Sequence, residues 1–208
     1  MKIVFLGDSI TDCGKNIERG SLVPVGQSYV MLVSSRLGRD EPMQHTFINS
    51  GISGDRCVDV LARIKKDCWN LEPDVISIFL GVNDVGHELY EHNGVSAERY
   101  EAVMRMILSD TKKALPNVKF ILMAPFVFCG SLSEAYFDEF REGVKERAAI
   151  VEKLAKELNA PFISVQKLFD DACKEAPSSY WSGDGVHATP AGHQLLADAW
   201  MEAFNTLR

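Results

Sequence analysis

The stretch Pro73-Asp74-Val75-Ile76-Ser77-Ile78-Phe79-Leu80-Gly81-Val82-Asn83-Asp84 carries the strongest strand signal in the chain. Val75–Leu80 is apolar except for Ser77, rich in β-branched residues, and bounded by Pro-Asp before and Gly after. A run that apolar belongs to a strand covered on both faces, not one that alternates between core and water. Working outward, similar runs occur at Ile3–Leu6, Thr46–Ile48, Lys119–Ala124 and Phe162–Val165, with Thr46–Ile48 the weaker signal. Helical periodicity fills the gaps. Ser96–Leu115 places Tyr100, Val103, Met104, Ile107, Leu108, Thr111 and Leu115 on one side, and Glu134–Leu158 repeats the pattern through Phe140, Val144, Ala148, Val151, Leu154, Ala155 and Leu158. A last helix carries Leu195, Leu196, Ala199, Ala203 and Phe204. Apolar strands alternating with amphipathic helices imply an α/β fold, a parallel sheet with helices on both faces.

The chain has 208 residues, and without repeats, linkers or low-complexity segments it reads as a single domain, 1–208. Its net charge of −7 argues against a nucleic-acid partner, which would need a basic face. No apolar stretch approaches a membrane span, and the short run after Met1 is interrupted by Asp8, so neither a membrane anchor nor a signal peptide is expected. The five cysteines, Cys13, Cys57, Cys68, Cys129 and Cys173, are odd in number and form no CxxC pair. That pattern predicts free thiols in a reducing compartment, the cytoplasm, and no thiolate metal site.

In an open α/β sheet, ligands bind beyond the carboxyl ends of the strands. The small polar residues gather there: Gly7-Asp8-Ser9 after the first strand, Asn49 to Gly54 after the second, Gly81-Val82-Asn83-Asp84 after the third and Ala124-Pro125-Phe126 after the fourth. A serine hydroxyl needs a base to become a nucleophile. Asp184-Gly185-Val186-His187 supplies one: an acid three residues ahead can accept the Nδ1 proton and leave Nε2 for Ser9. Thr189-Pro190 reads as the N-cap and first residue of the helix that anchors this loop. The N–H groups of Ser9 and Gly54 and the side-chain amide of Asn83 are candidate donors to an oxyanion.

These blocks, Gly7-Asp8-Ser9-Ile10, Gly54, Gly81-Val82-Asn83-Asp84 and Asp184-x-x-His187, resemble the GDSL/SGNH hydrolase superfamily in order and over nearly the whole chain. The resemblance implies a flavodoxin-like three-layer α/β/α sandwich on a five-stranded parallel sheet, a serine ester hydrolase working through an acyl-enzyme, and neither metal nor cofactor. The wider blocks Gly7 to Gly14, Gly51-Ile52-Ser53-Gly54, Pro73-Asp74-Val75 and Ala191-Gly192-His193 look like the intracellular acetyl-xylooligosaccharide esterases within it. That subgroup implies acetylated xylo-oligosaccharides as substrates. Enzymes of this kind are often homo-oligomers, although the sequence sets no oligomeric state. One departure stands out: Ser182-Gly183 separates Trp181 from Asp184, where members of the subgroup carry tryptophan next to the acid.

Competing readings attach to several residues. Asp8 and Asp84 with His187 could ligate metal in a phosphoesterase, but the histidine-rich ligand set is missing. Asp8 reads instead as a support for the nucleophile turn. His193 reads as structural, and His45, His87 and His92 as surface or loop residues. Phe126 and Trp181 are candidate sugar platforms or simply core. Beyond the acetyl-sugar esterase, the same residues allow a general short-chain acyl hydrolase of lysophospholipase or thioesterase type, or a non-catalytic carbohydrate-binding protein. No GxSxG elbow is present, which disfavours an α/β-hydrolase lipase.

Overall fold

The computed structural model describes residues 1–15 and 24–208. In chain order the elements are β1 (Lys2–Gly7), α1 (Ser9–Asp12), α2 (Tyr29–Asp40), β2 (Thr46–Gly51), α3 (Cys57–Asp67), β3 (Val75–Phe79), α4 (Val82–Glu91), α5 (Ala97–Ala114), β4 (Lys119–Met123), α6 (Phe137–Leu158), β5 (Phe162–Ile163), α7 (Val165–Ala172), α8 (Ser178–Trp181) and α9 (Pro190–Asn205). Short 3₁₀ turns cover Trp69–Leu71 and Glu134–Tyr136. The five strands form one parallel sheet in the order β2-β1-β3-β4-β5.

The strands are apolar because each side chain enters one of two cores. Ile3 and Phe5 of β1, Val75 and Phe79 of β3 and Ile121 and Met123 of β4 point to one face. There they meet Tyr29, Val33 and Leu37 of α2 and Leu196, Trp200 and Phe204 of α9. Val4 and Leu6, Ile76 and Ile78, Phe120 and Leu122 point to the other, against Val60 and Ile64 of α3 and Tyr100, Met104 and Ile107 of α5. The helix α6 serves both, with Phe140 and Val144 in the first core and Val151 and Leu154 in the second. Ser77, the polar exception in β3, is buried and accepts the indole N–H of Trp200 at 3.0 Å. A polar group is tolerated there because it is paired.

Several boundaries differ from those read in the sequence. The pairing of β2 with β1 runs from Lys2–Thr46 to Gly7–Gly51, so β2 reaches three residues beyond Ile48. The β5 strand pairs only through Phe162 and Ile163; Val165 begins α7 and buries its side chain in the first core. Residue 83 sits in the first turn of α4, not at a strand end, because Gly81 turns the chain at φ 132°. No helix among the described residues is long and apolar enough to cross a membrane.

The topology locates the site. The connection from β1 leads to β2 on one side, and the chain then returns past β1 to β3 on the other. The connections therefore diverge above the carboxyl ends of β1 and β3, leaving a crevice. Ser9 follows β1, Gly54 follows β2 and Asn83 follows β3.

Candidate active site

Ser9 is the first residue of α1, a helix of one turn packed against the strand that precedes it. Asp8 caps the turn: its Oδ1 accepts the Ile10 N–H at 3.0 Å and its carbonyl accepts the Asp12 N–H at 2.8 Å. Gly7 is required by close packing, since a Cβ would collide with the Thr11 side chain. Asn49 ties the same turn to β2, donating to the Thr11 carbonyl at 2.7 Å and accepting the Gly51 N–H at 2.9 Å. The Asp8 side chain is buried, and burial pushes its carboxyl up to about 7, aided by the charge of Asp84 and opposed by the Ile10 N–H and His187. The carboxyl behind the serine therefore holds its proton at moderately acid pH.

The His187 Nε2 lies 2.8 Å from Ser9 Oγ, and His187 Nδ1 lies 2.7 Å from Asp184 Oδ2. The other carboxylate oxygen of Asp184 accepts the N–H groups of Val186 at 2.9 Å and His187 at 2.7 Å. Partial burial alone would raise the Asp184 carboxyl. The hydrogen bonds from His187 and Val186 and the His187 charge outweigh it and hold the group below its usual value. An ionised acid at Nδ1 selects the tautomer whose Nε2 lone pair faces the serine.

The loop bearing this pair is clamped by its neighbours. Phe128 N–H donates to the Gly185 carbonyl at 2.8 Å and Leu132 N–H to the Asp184 carbonyl at 3.0 Å. On the far side, Ser182 forms an antiparallel bridge with Ala188 and its hydroxyl donates to the His187 carbonyl at 3.0 Å. Thr189 caps α9 by accepting the Gly192 N–H at 3.2 Å, with Pro190 in the first turn.

The candidate oxyanion donors converge from the three strand ends. Gly54 adopts φ +85°, a left-handed conformation that favours glycine, and open space lies where a Cβ would stand. Among the described residues neither the Ser9 nor the Gly54 N–H makes a hydrogen bond. The Asn83 amide donates one hydrogen to the Asp55 carbonyl at 3.1 Å, which orients it and leaves the second. The Gly54 loop is tied to α1 through Asp12, whose Oδ2 accepts the Ser53 N–H at 3.1 Å and its hydroxyl at 3.0 Å. Asp12 stands in the quoted Gly7–Gly14 block, but its partner across 41 residues leaves no local signal.

Other expected residues fall elsewhere. Phe126 is no sugar platform: it is fully buried, with its ring 4.5 Å from that of Phe169. The chain turns inward after β4, so this side chain enters the first core. Trp181 is half-buried against that core and donates its indole N–H to the Ala176 carbonyl at 3.1 Å, so it packs beneath the histidine loop. Asp84 is buried and accepts the Cys57 N–H at 3.1 Å, capping α3. His193 is buried and accepts the Tyr29 N–H on Nδ1 at 3.2 Å; burial and the His187 charge lower it to about 4, which keeps it neutral. Among the described residues no three His, Cys, Asp or Glu side chains are grouped as metal ligands. Two exposed rings without a local sequence signal, Tyr90 at the end of α4 and Tyr136 before α6, lie edge to face with centroids 5.3 Å apart.

A serine hydroxyl hydrogen-bonded to an imidazole, itself hydrogen-bonded to an acid, with N–H donors nearby, is the arrangement that acyl transfer requires. Comparison with known proteins agrees. The model of the GDSL-like lipase/acylhydrolase family matches residues 5–195. The acetylxylan esterase of Geobacillus stearothermophilus is 32% identical over 207 residues, covering 96% of this chain and 92% of that protein. Among solved structures, a GDSL-like lipase candidate from Parabacteroides merdae superposes with a TM-score of 0.90 at 36% identity, over 97% of this chain and 94% of that one. A catalytic mutant of the Geobacillus stearothermophilus esterase gives 0.86 at 32% identity, over 97% and 93%. An alpha/beta hydrolase enzyme from the metagenome of Lake Arreo gives 0.87 at 26% identity, over 100% and 96%.

Proposed function

Because this chain belongs to the GDSL-like lipase/acylhydrolase family and is a serine ester hydrolase, we propose that Ser9, His187 and Asp184 are its catalytic residues and that it deacetylates xylo-oligosaccharides. The observation that carries the assignment is the unbroken line from Ser9 Oγ through both ring nitrogens of His187 to Asp184, at 2.8 and 2.7 Å.

His187 takes the Ser9 proton on Nε2 as Oγ attacks the ester carbonyl carbon. The carbonyl oxygen becomes an oxyanion held by the N–H groups of Ser9 and Gly54 and the free amide hydrogen of Asn83. Collapse breaks the bond to the alcohol, which leaves with the proton from His187, and acetyl remains on Ser9. Water then gives its proton to His187 and attacks the acyl group, releasing acetate and restoring Ser9. Asp184 stabilises the imidazolium formed in each half. Asp8 supports the turn and takes no part in proton transfer.

The acetylated sugar is supported by the 32% identity with an acetylxylan esterase over almost the full length of both proteins. We assign the whole of 1–208 to one catalytic domain and place it in the cytoplasm, where its five free thiols would be kept reduced. The test is acetate release across acetylated xylo-oligosaccharides and simple esters. Ser9→Ala is expected to lose at least about a thousandfold in kcat at an unchanged melting temperature, and a serine-directed phosphonate should label the wild type alone. Activity retained without Ser9 would overturn the assignment.

A further inference from the structure

The face of α4 that starts at Asn83 continues away from the strand ends as an open surface. Helical geometry puts residues 83, 87, 90 and 91 on one side. Asn83, His87, Tyr90 and Glu91 are all partly or fully exposed, whereas Val82, Asp84, Val85 and Gly86 are buried. The buried side packs closely on α6: Gly86 lies against the Phe140 ring and Val85 against Gly143. Tyr90 stands two helical turns from Asn83, roughly 10 Å along the axis, about the span of a disaccharide.

At that point Tyr90 meets Tyr136, edge to face at 72°. The rings are 46% and 44% exposed and belong to neither apolar core. Single exposed aromatics are ordinary. This pair differs because each ring is tied to a part of the site. Tyr90 shares a helix with Asn83. Tyr136 ends the segment that hydrogen-bonds to Asp184 and Gly185 through Leu132 and Phe128. The two rings steady each other, so little rotamer entropy remains to be lost on binding. A pyranose presents an apolar C–H face and a polar edge, and such a ring stacks on an aromatic face while its hydroxyls reach neighbouring polar groups.

We propose that Tyr90 and Tyr136 form a sugar platform for the glycan portion of the substrate, with His87 and Glu91 along its edge as hydrogen-bond partners for the sugar hydroxyls. The inference rests on the glycan-ester reading above and adds where the alcohol half lies: along α4, outward from the oxyanion donors.

The experiment compares kcat/KM on acetylated xylose, xylobiose and xylotriose with kcat/KM on 4-nitrophenyl acetate, for wild type, Tyr90→Ala, Tyr136→Ala and Tyr90→Phe. Selectivity for the trisaccharide over the nitrophenyl ester is expected to fall about tenfold in each alanine variant, through KM, as for loss of one stacking contact. The fall should be smallest for the monosaccharide, and Tyr90→Phe, which keeps the ring, should stay within about twofold of wild type. Melting curves report whether each variant is folded. Alanine variants that keep the wild-type selectivity and chain-length trend would overturn the platform. A wild type with no preference for glycan esters would overturn the substrate reading instead, and the platform with it; the wild-type measurements alone tell the two failures apart.

Discussion

Ser9 and His187 meet at 2.8 Å, yet opposite means bring them there. Ser9 is held from within. It rides on a strand paired on both sides, on a one-turn helix capped by the residue before it, over a buried carboxyl. His187 is held from without. Its loop has no strand beneath it and takes its shape from Asp184, from the Phe128–Leu132 segment on one side and from Trp181–Ser182 on the other. The Ser9 turn is thus a product of short-range sequence and the sheet, while His187 is positioned by loops drawn from separate parts of the chain. Each arrangement has its own weak point.

The largest effect should come from the acid. Asp184→Asn keeps the shape of the side chain but can present an N–H to Nδ1, which favours the wrong imidazole tautomer. We expect kcat to fall by about three to four orders of magnitude. Steady-state rates on 4-nitrophenyl acetate measure it, and a loss below tenfold would mean that Asp184 does not orient the base.

A smaller and more mixed effect is expected where the outer loop is clamped. A Cβ at Gly130 would collide with the backbone of Asp184 and Gly185. Gly130→Ala should therefore shift the histidine loop, lowering kcat about ten- to a hundredfold. It should also lower stability by about 1–3 kcal/mol, or roughly 3–10 °C in melting temperature. Wild-type rates in that variant would show that the clamp does not position His187.

The smallest effect separates the inner support from catalysis. Burial holds the Asp8 proton up to about 7, against an ordinary value of 3.8. Between those values the unfolded chain has released a proton that the folded chain keeps, so the Asp8 contribution to stability declines as pH rises. Asp8→Asn retains an acceptor for the Ile10 N–H and removes that titration. The melting temperature of Asp8→Asn relative to wild type should rise by a few degrees from about pH 5 to about pH 8. A constant difference across that range would show that Asp8 is ionised throughout.

The same contrast explains how much could be read in advance. Gly7-Asp8-Ser9 and Asp184-x-x-His187 are local patterns, and the Thr189-Pro190 helix start is a local signal. The apolar runs of β1, β3 and β4 were legible because each residue in them is buried on one face or the other. The helix α2 is poorly marked in the sequence, although Ser28 caps it and Tyr29, Val30, Val33 and Leu37 form its buried side. Its sequence is interrupted by Ser34, Ser35 and Gly38, and packing on α9 settles it. What local pattern could not reveal was partnership across the chain: Asp12 with Ser53, Asn83 with Asp55, Phe128 with Gly185. Aromatic residues were the hardest to place. Phe126 and Tyr90 each lie near a strand end or a helix that serves the site, but one turns inward and the other outward, a choice made by neighbours far off in sequence.

The shortness of β5 has a consequence away from chemistry. A sheet margin normally offers a row of outward amides and carbonyls on which a foreign strand can grow. With two residues in β5, that margin offers hardly one rung, and the chain leaves at once into α7. The β5 strand itself therefore gives an invading segment almost nothing to extend, a margin blunted by brevity rather than by charge.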